Sequence, residues 1–257
     1  MEIQEILESL KAGKVSTNNA KKLLSLYAIE EVEGFAKIDI NRKARRGIPE
    51  IIFAETKELD ETKKIIKKTL EKTNSVIVSR IKKKDYSKIV EFAKRLKVKV
   101  EIGKNSSSIL LFKKPIKEKG GKVGILTAGT SDIGVAEESR LVCKAMSCKS
   151  ITSYDVGVAG IQRVFPILKE MINEDVDCII VAAGMEGALA TLVSTMVDIP
   201  IIGVPTSVGY GYGEKGIAAL ASMLQSCSLG LSVVNIDNGI AAGGIAANIA
   251  NRSARKK

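Results

Sequence analysis

The sequence predicts an α/β protein whose C-terminal half is a doubly wound sheet of five parallel strands, the flavodoxin-like arrangement. From residue 122 onward five apolar segments recur, and a helical stretch follows each one. The segments are apolar almost without interruption, as expected of strands buried on both faces, and a helix between strands is the usual parallel connection. They are Val123–Thr127, Ile151–Val156, Cys178–Ala182, Pro200–Val204 and Leu231–Ile236.

The charge distribution marks where this half begins. Residues 1–121 hold 29 Lys and Arg against 17 Asp and Glu, whereas residues 122–257 hold 11 against 12. A Lys-rich solvated surface explains the basic half better than a nucleic-acid face, because aromatic residues for stacking on bases are scattered and Trp is absent. We therefore predict no nucleic-acid partner, and a non-enzymatic RNA-binding module stays a minority alternative.

The basic half divides further by its apolar periodicity. Helix-period residues followed by Ala12-Gly13, and an N-cap at Ser16-Thr17, predict a helical hairpin over residues 1–33. Alternating strand and helix patterns over 34–112 predict a small α/β domain. Residues 113–121 carry charge and turn formers without periodicity, so they are predicted to be a linker before the domain at 122–257.

Cellular location is predicted from what the chain lacks. Its four cysteines are too few and too irregularly spaced for a disulfide framework or a four-ligand zinc site. The N-terminus is acidic rather than signal-like, and the apolar segments fall short of the about 18 residues of a membrane span. We expect a soluble cytoplasmic protein with reduced thiols.

In a doubly wound sheet, ligands bind beyond the carboxyl ends of the strands, so the loops there carry the candidate site. Gly129, Thr130, Ser131 and Asp132 follow the first strand and lead into a helix, where backbone N–H groups suit a phosphate or carboxylate. An ordinary N-cap would use the same residues. The loop lacks the glycine fingerprint of dinucleotide-binding folds and the Gly-Lys-Ser/Thr ending of ATPases, which disfavours both classes.

The next two loops each offer one charged side chain. Arg163 lies just inside a predicted helix start, where it suits a phosphate, although a surface arginine would look identical. Glu186 lies between Gly184-Met185 and Gly187 after a central strand. A constricted, partly dry position there would raise its pKa toward the range of a general base, whereas a Glu complementing a helix dipole is the alternative.

The last two candidate segments are a flexible loop and a thiol. The loop Thr206-Ser207-Val208-Gly209-Tyr210-Gly211-Tyr212-Gly213 combines hydroxyls with two aromatic rings and could close over an aromatic substrate. Cys227 lies in a polar connection, unlike the other cysteines, although a buried inert thiol is the commoner situation for this residue type.

Taken in order, these loops resemble a known family, the aminoimidazole ribonucleotide carboxylase superfamily, and within it the pyridinium-3,5-biscarboxylic acid mononucleotide synthase branch. That branch makes a precursor of the nickel-pincer nucleotide cofactor. The resemblance covers nearly all of the chain beyond about residue 35. The matching stretches are Arg46–Glu55, Thr127–Ile133, Asp155–Arg163, Ala183–Ala188, Val204–Tyr210 and Ser226–Gly239.

The resemblance implies an enzyme acting on nicotinic acid adenine dinucleotide, carbon dioxide or bicarbonate, and water. The products would be the doubly carboxylated pyridinium mononucleotide and AMP. Cys227 would be the nucleophile, Glu186 the base and Asp132 a third catalytic residue. Phosphoanhydride hydrolysis would plausibly use Mg²⁺, with no legible ligands. The residues that would bind substrate are Gly129, Thr130, Ser131, Arg163, Gly184, Met185, Gly187, Thr206 and Ser207, together with Asp39, Arg42 and Arg46 of the N-terminal domain.

One departure bears on the reaction. Purine carboxylases carry histidines in the second and third loops, whereas this chain contains no histidine and has Gln162 in the second loop. An imidazole proton shuttle is therefore excluded by composition, which counts against the alternative of a purine-pathway carboxylase or mutase.

The strand order also makes a prediction about assembly. The connection that bears Cys227 precedes the fifth strand and so lies at the edge opposite Asp132 and Glu186. We therefore expect a homo-oligomer, up to an octamer, in which one protomer presents its Cys227 edge to the other edge of its neighbour.

Overall fold

The protein is described by a computed structural model that covers residues 3–24, 30–32, 36–38, 42 and 46–255. Its first elements are helix α1 (Ile3–Lys11), helix α2 (Thr17–Leu24) and the antiparallel strands β1 (Glu30–Val32) and β2 (Ala36–Ile38). The predicted helical hairpin is therefore present. Asp39, a predicted site residue, lies outside the described residues.

The next six elements form the predicted small α/β region. A four-stranded sheet has the order β3-β4-β6-β5, and β3 and β4 are parallel. The elements are β3 (Glu50–Phe53), α3 (Leu59–Lys72), β4 (Ser75–Ser79), α4 (Tyr86–Arg95), β5 (Lys99–Ile102) and β6 (Ile109–Phe112).

The second sheet confirms the predicted fold class. Its five strands are all parallel and have the order β11-β10-β9-β7-β8, which is the doubly wound flavodoxin-like order. The elements are β7 (Lys122–Thr127), α5 (Ile133–Ala145), β8 (Lys149–Ser153), α6 (Val164–Asn173), β9 (Cys178–Ala183), α7 (Ala188–Ser194), β10 (Ile201–Pro205), α8 (Ile217–Leu224), β11 (Leu231–Val233) and α9 (Gly239–Ser253).

By its internal contacts the chain forms two compact units, residues 1–99 with 111–114 and residues 100–110 with 115–257. Charged groups explain why 100–110 belongs to the second unit. Buried Glu137 on α5 accepts the backbone N–H of Lys104 at 2.9 Å, and Arg140 donates to Glu101 at 2.6 Å. The hydroxyl of Ser108 donates to Glu138 at 2.6 Å. These contacts fasten the segment to α5.

The core of the second unit is apolar, and its helices pack closely. Strand β9 is buried throughout. On the other side of the unit, α9 packs against α5 through small residues. A Cβ at Gly239 would lie 2.1 Å from the carbonyl oxygen of Val135, and one at Gly243 would lie 2.7 Å from that of Ser139. Glycine is needed at both positions because the helix backbones approach so closely.

Two predicted strands were too long at their carboxyl ends. Strand β8 ends at Ser153 rather than Val156, because Asp155 adopts a positive φ of 61° and donates its N–H to the Thr127 hydroxyl at 3.0 Å. Strand β11 ends at Val233 rather than Ile236, since the chain turns toward Asp237, whose φ is 53°. Both errors fall where apolar residues continue into a loop of the candidate site.

Among the described helices, none combines the length and the apolar character needed to cross a membrane.

Candidate active site

One pocket lies at the carboxyl edge of the five-stranded sheet and has a volume of about 410 Å³. The loops that follow β7, β8, β9 and β10 all contribute to its lining. Strands β7 and β9 are neighbours, although β8 separates them in sequence, so the pocket lies at the switch point in strand order. This is where doubly wound sheets bind ligands.

Asp132 holds three of these loops together. Its side chain is only 2% exposed. One carboxylate oxygen accepts the Thr206 hydroxyl at 2.5 Å, the other accepts the Gly129 N–H at 2.8 Å, and the Gly184 N–H also donates to the group. Burial raises the pKa of Asp132, the three donors lower it, and nearby Asp237 raises it, with a net upward shift. Asp132 therefore connects the loops after β7, β9 and β10.

The loop after β9 presents Glu186 to solvent. Met185 and Gly187 both adopt positive φ, 53° and 68°, so the chain turns sharply on either side of Glu186. At Gly184 a Cβ would lie 2.2 Å from the carbonyl oxygen of Val208, so only glycine fits. Glu186 itself is exposed, and the expectation of a constricted, partly dry position is wrong for the single chain. The two flanking turns direct this side chain outward.

Arg163 also lines the pocket. It is the last residue of a 3-10 turn, Val158–Arg163, directly before α6. Its guanidinium donates to the carboxylate of Asp155 at 3.0 Å, and both side chains are about half exposed. The cation is thus oriented by a carboxylate that a bound phosphate would replace or share.

The loop after β10 is fixed at its start. The Thr206 N–H donates to the carbonyl of Ala183 at 3.0 Å, and the Ser207 N–H donates to the Asp237 carboxylate at 2.8 Å. The Met185 N–H donates to the carbonyl of Val208 at 2.8 Å. These bonds tie the β10 loop to the β9 loop beside Glu186.

The four cysteines fall into two classes. Cys143, Cys148 and Cys178 are buried, and burial raises the pKa of each thiol, to about 12 for Cys148 and Cys178. Cys227 is exposed, so the expectation of a buried inert thiol is wrong for it. Only the Cys227 thiol is accessible to a substrate.

The connection that carries Cys227 is fastened to α7. Thr191 donates to the Ser226 hydroxyl at 3.0 Å, and Ser194 donates to the Ser228 hydroxyl at 2.7 Å. Ser194 is the last residue of α7, whereas Glu186 precedes its first turn. The helix has seven residues, which corresponds to a length of roughly 10 Å. Cys227 and Glu186 therefore lie toward opposite ends of this helix.

The predicted site residues are placed as follows. Gly129, Thr130, Ser131, Asp132, Arg163, Gly184, Met185 and Glu186 line the pocket. Thr206 bonds to Asp132 in the adjoining wall, Ser207 bonds to Asp237, and Gly187 caps α7. Cys227 is not among the residues that line the pocket.

The N-terminal site residues belong to the first unit. The Nη1 atom of Arg42 lies 3.9 Å from Oε2 of Glu50, and Arg46 is exposed. Sequence reasoning did not single out Asp155 and Asp237 as site residues. Asp155 follows β8 directly and could have been found as a carboxylate at the carboxyl edge. Asp237 lies in a stretch that carries the family resemblance, directly after the predicted end of the fifth strand.

The donors for the predicted Mg²⁺ were tested against these contacts. Within the described part of the chain, no three acidic or cysteine side chains are grouped as metal ligands. Both oxygens of Asp132 already accept hydrogen bonds. A magnesium site built from protein ligands alone does not fit these residues.

Fold and pocket together define a doubly wound α/β protein with a ligand site at its switch point. Comparison with known families identifies it further. Residues 122–256 match the model of AIR carboxylase, and residues 29–104 match that of the LarB/PurE-like N-terminal domain. An uncharacterized protein of Methanocaldococcus jannaschii is 45% identical over 252 residues, 96% of each chain. The chain belongs to the AIR carboxylase family and carries a LarB-type N-terminal domain.

Proposed function

We propose that this protein carboxylates the pyridinium ring of nicotinic acid adenine dinucleotide and hydrolyses the phosphoanhydride, giving pyridinium-3,5-biscarboxylic acid mononucleotide and AMP. Family membership supports a carboxylase-type enzyme acting on a nucleotide. The observation that carries the finer proposal is Cys227, the exposed thiol among four cysteines in a chain without histidine.

The thiol is needed because a pyridinium ring is electron-poor and cannot attack carbon dioxide. The Cys227 thiolate adds to a ring carbon, forming a C–S bond and leaving a neutral dihydropyridine. Its enamine carbon then attacks carbon dioxide and forms the new C–C bond. The ring nitrogen regains its positive charge in that step, so no oxidant or reductant is required.

Restoring the aromatic ring requires a base. The carboxylated carbon still bears its hydrogen, and Glu186 removes this proton. The C–S bond then breaks, the electron pair leaves with sulfur, and the pyridinium ring reforms. The exposed position of Glu186 at the pocket mouth leaves its carboxylate free to reach a substrate carbon.

Phosphate binding is assigned to the other side of the pocket. The backbone of Gly129–Ser131 and the guanidinium of Arg163 face the same cavity. A phosphate there would compete with Asp155 for Arg163. Water attacks the phosphoanhydride and releases AMP. Any Mg²⁺ in this step would be held largely by the phosphates, as this ion usually is.

We further propose that two protomers form each site. Glu186 and Cys227 lie at opposite ends of α7 in one chain, and Cys227 does not line the pocket. A closed homo-oligomer would bring the Cys227 connection of one protomer to the pocket of the next. Exposed apolar side chains flank Cys227 in sequence, with Leu229 at 92% and Leu224 at 64% exposure, and exposed apolar side chains favour contact with a partner.

An aminoimidazole ribonucleotide carboxylase or mutase is the second candidate, favoured by the match to the AIR carboxylase model. The absence of histidine opposes it. The two reactions are separated by incubating the protein with each nucleotide and labelled bicarbonate. We expect label to enter the pyridinium nucleotide, together with AMP. Label entering the aminoimidazole nucleotide instead would assign the purine reaction.

Mass spectrometry of protein incubated with the dinucleotide tests the covalent step. We expect an adduct on the peptide that contains Cys227. If the protein turns over substrate but rapid acid quenching traps no such adduct, the thiolate takes no part in the mechanism.

A further inference from the structure

The loop between β10 and α8 carries two aromatic rings in solvent. Tyr210 is 81% exposed and Tyr212 is fully exposed. Gly211 separates them, Gly209 and Gly213 flank the pair, and a Cβ at Gly211 would meet no atom within 4 Å. Aromatic side chains are usually at least partly buried, so a pair left in solvent indicates a surface that binds something.

Both ends of this loop are fixed at the pocket wall. At the start, the Val208 carbonyl accepts the Met185 N–H at 2.8 Å, and a Cβ at Gly209 would be 3.7 Å from that nitrogen. At the end, Gly216 has φ +82° and a Cβ there would lie 2.6 Å from the carbonyl oxygen of Thr206. The two ends thus meet at the base of a compact loop. Tyr210 follows immediately after the segment packed on Met185, a residue that lines the pocket.

The charges of the pocket point to the kind of ring that it accepts. Asp132, Asp155 and Glu186 line it, and Arg163 is the one basic side chain among its described lining residues. Arg163 is engaged with Asp155. The remaining carboxylates favour a positively charged group near Glu186. An aromatic face over such a site adds attraction for a cationic ring through the ring quadrupole.

From these observations we infer that Tyr210 stacks on the substrate's ring and, with the pocket carboxylates, selects a cationic heteroaromatic ring over a neutral one of the same shape. This inference rests on the proposed function, because it takes the pyridinium nucleotide as the ligand. It adds a residue that determines specificity and the physical property, ring charge, on which the choice is made.

Binding measurements on the full-length protein test this without relying on turnover. The probes are nicotinic acid mononucleotide and its carbon isostere, in which a neutral benzene ring replaces the pyridinium ring and the carboxylate, ribose and phosphate are kept. Calorimetry gives the ratio of their dissociation constants. The variants are Tyr210→Ala and Tyr210→Phe, with Tyr212→Ala as the matched control for removing an exposed ring from the same loop.

We expect the wild type to prefer the cationic nucleotide by about tenfold or more. Tyr210→Ala should lower that preference by about 3- to 30-fold, the range that a cation–π contact supplies. Tyr210→Phe should keep it because the ring face is retained, and Tyr212→Ala should keep it as well.

Each of the other outcomes of these binding measurements contradicts one part of the inference. If the wild type binds both probes equally, charge selection is wrong while the pyridine nucleotide site stands. If neither probe binds and nicotinic acid adenine dinucleotide does not bind either, the proposed function itself fails. Binding of the dinucleotide alone would show that the ring contributes too little for Tyr210 to select it. An unchanged preference in Tyr210→Ala, or loss only in Tyr212→Ala, removes the role of Tyr210. Native mass spectrometry of each variant completes the test, since a change of oligomer on losing Tyr210 would make this ring a subunit contact.

Discussion

The pocket at the carboxyl edge and the connection that carries Cys227 differ in how their reactive groups are held. In the pocket, Asp132 is buried and accepts hydrogen bonds from three loops. At the other end of α7, Ser226 and Ser228 anchor the backbone on either side of Cys227, while the thiol between them stays exposed. One region is complete within a single chain, and the other presents a reactive group outward.

This difference indicates how the two regions divide the work. Hydrogen bonds within one chain fix the walls of the pocket, so the pocket is preorganised for the nucleotide that we propose as its ligand. The thiol is held in position but is not among the residues that line the pocket. An outward-facing nucleophile on a fixed backbone is suited to entering the pocket of a neighbouring molecule.

The largest expected effect comes from removing the thiol. Cys227→Ser should abolish carboxylation, because a serine hydroxyl is a far poorer nucleophile and leaving group near neutral pH. Stability should hardly change at this exposed loop position. Cys148→Ala is the control. Removing this buried thiol should lower the unfolding free energy by about 1 kcal/mol and leave turnover intact. If Cys227→Ser carboxylates its substrate at the wild-type rate, the covalent mechanism is ruled out.

The next effect concerns the base in the pocket. Glu186→Gln keeps the shape of the side chain and loses the base, so turnover should fall by about 10²- to 10⁴-fold while the cysteine adduct accumulates. Quenched-flow mass spectrometry measures both quantities. Loss of the adduct itself would show that Glu186 acts before the covalent step, and an undiminished rate would reassign the base.

A smaller effect is expected from deleting a hydrogen bond to the buried carboxylate of Asp132. Thr206→Val deletes the hydroxyl that donates to Asp132 and leaves a buried oxygen unpaired, at a cost of about 1 to 3 kcal/mol in unfolding free energy. Thr206→Ser keeps the donor and should lose much less. Chemical denaturation measures both. Equal stability of the valine and serine variants would show that this hydrogen bond does not hold the loops.

The smallest effect is a change in pH dependence. Because the folded pKa of Asp132 is raised, mainly by burial, the folded state favours its protonated form. Its contribution to stability is therefore greatest below the ordinary value of 3.8 and declines as pH rises through the folded pKa. Compared with Asp132→Asn, the wild type should lose unfolding free energy over that window. If the unfolding free energy of the wild type instead rises with pH relative to that of Asp132→Asn, the raised pKa is contradicted.

The sequence predicted much of this architecture because its signals are local. Near-continuous apolar strands separated by helices define a parallel sheet, and the loops at its carboxyl edge follow from the strand order. The Gly129–Asp132 loop, Arg163 and the turn at Glu186 were all singled out in this way, and they line one pocket.

What the sequence missed depends on backbone turns and on burial in three dimensions. Asp155 and Asp237 adopt positive φ shortly after β8 and β11 end, although apolar residues continue beyond the last residue of each strand. The exposure of Glu186 depends on two turns, and the three-loop contact of Asp132 joins residues distant in sequence. Neither is encoded in a local pattern.

Subunit mixing tests the central claim, a site shared between protomers, most directly. Cys227→Ser and Glu186→Gln are each expected to be inactive alone. After exchange in one oligomer, some intact Cys227 connections would face intact Glu186 pockets, and part of the activity should return. Mass-tagged subunits verify the exchange independently. Recovered carboxylation in the mixed sample is the predicted result, whereas verified exchange without any recovery would contradict the shared site.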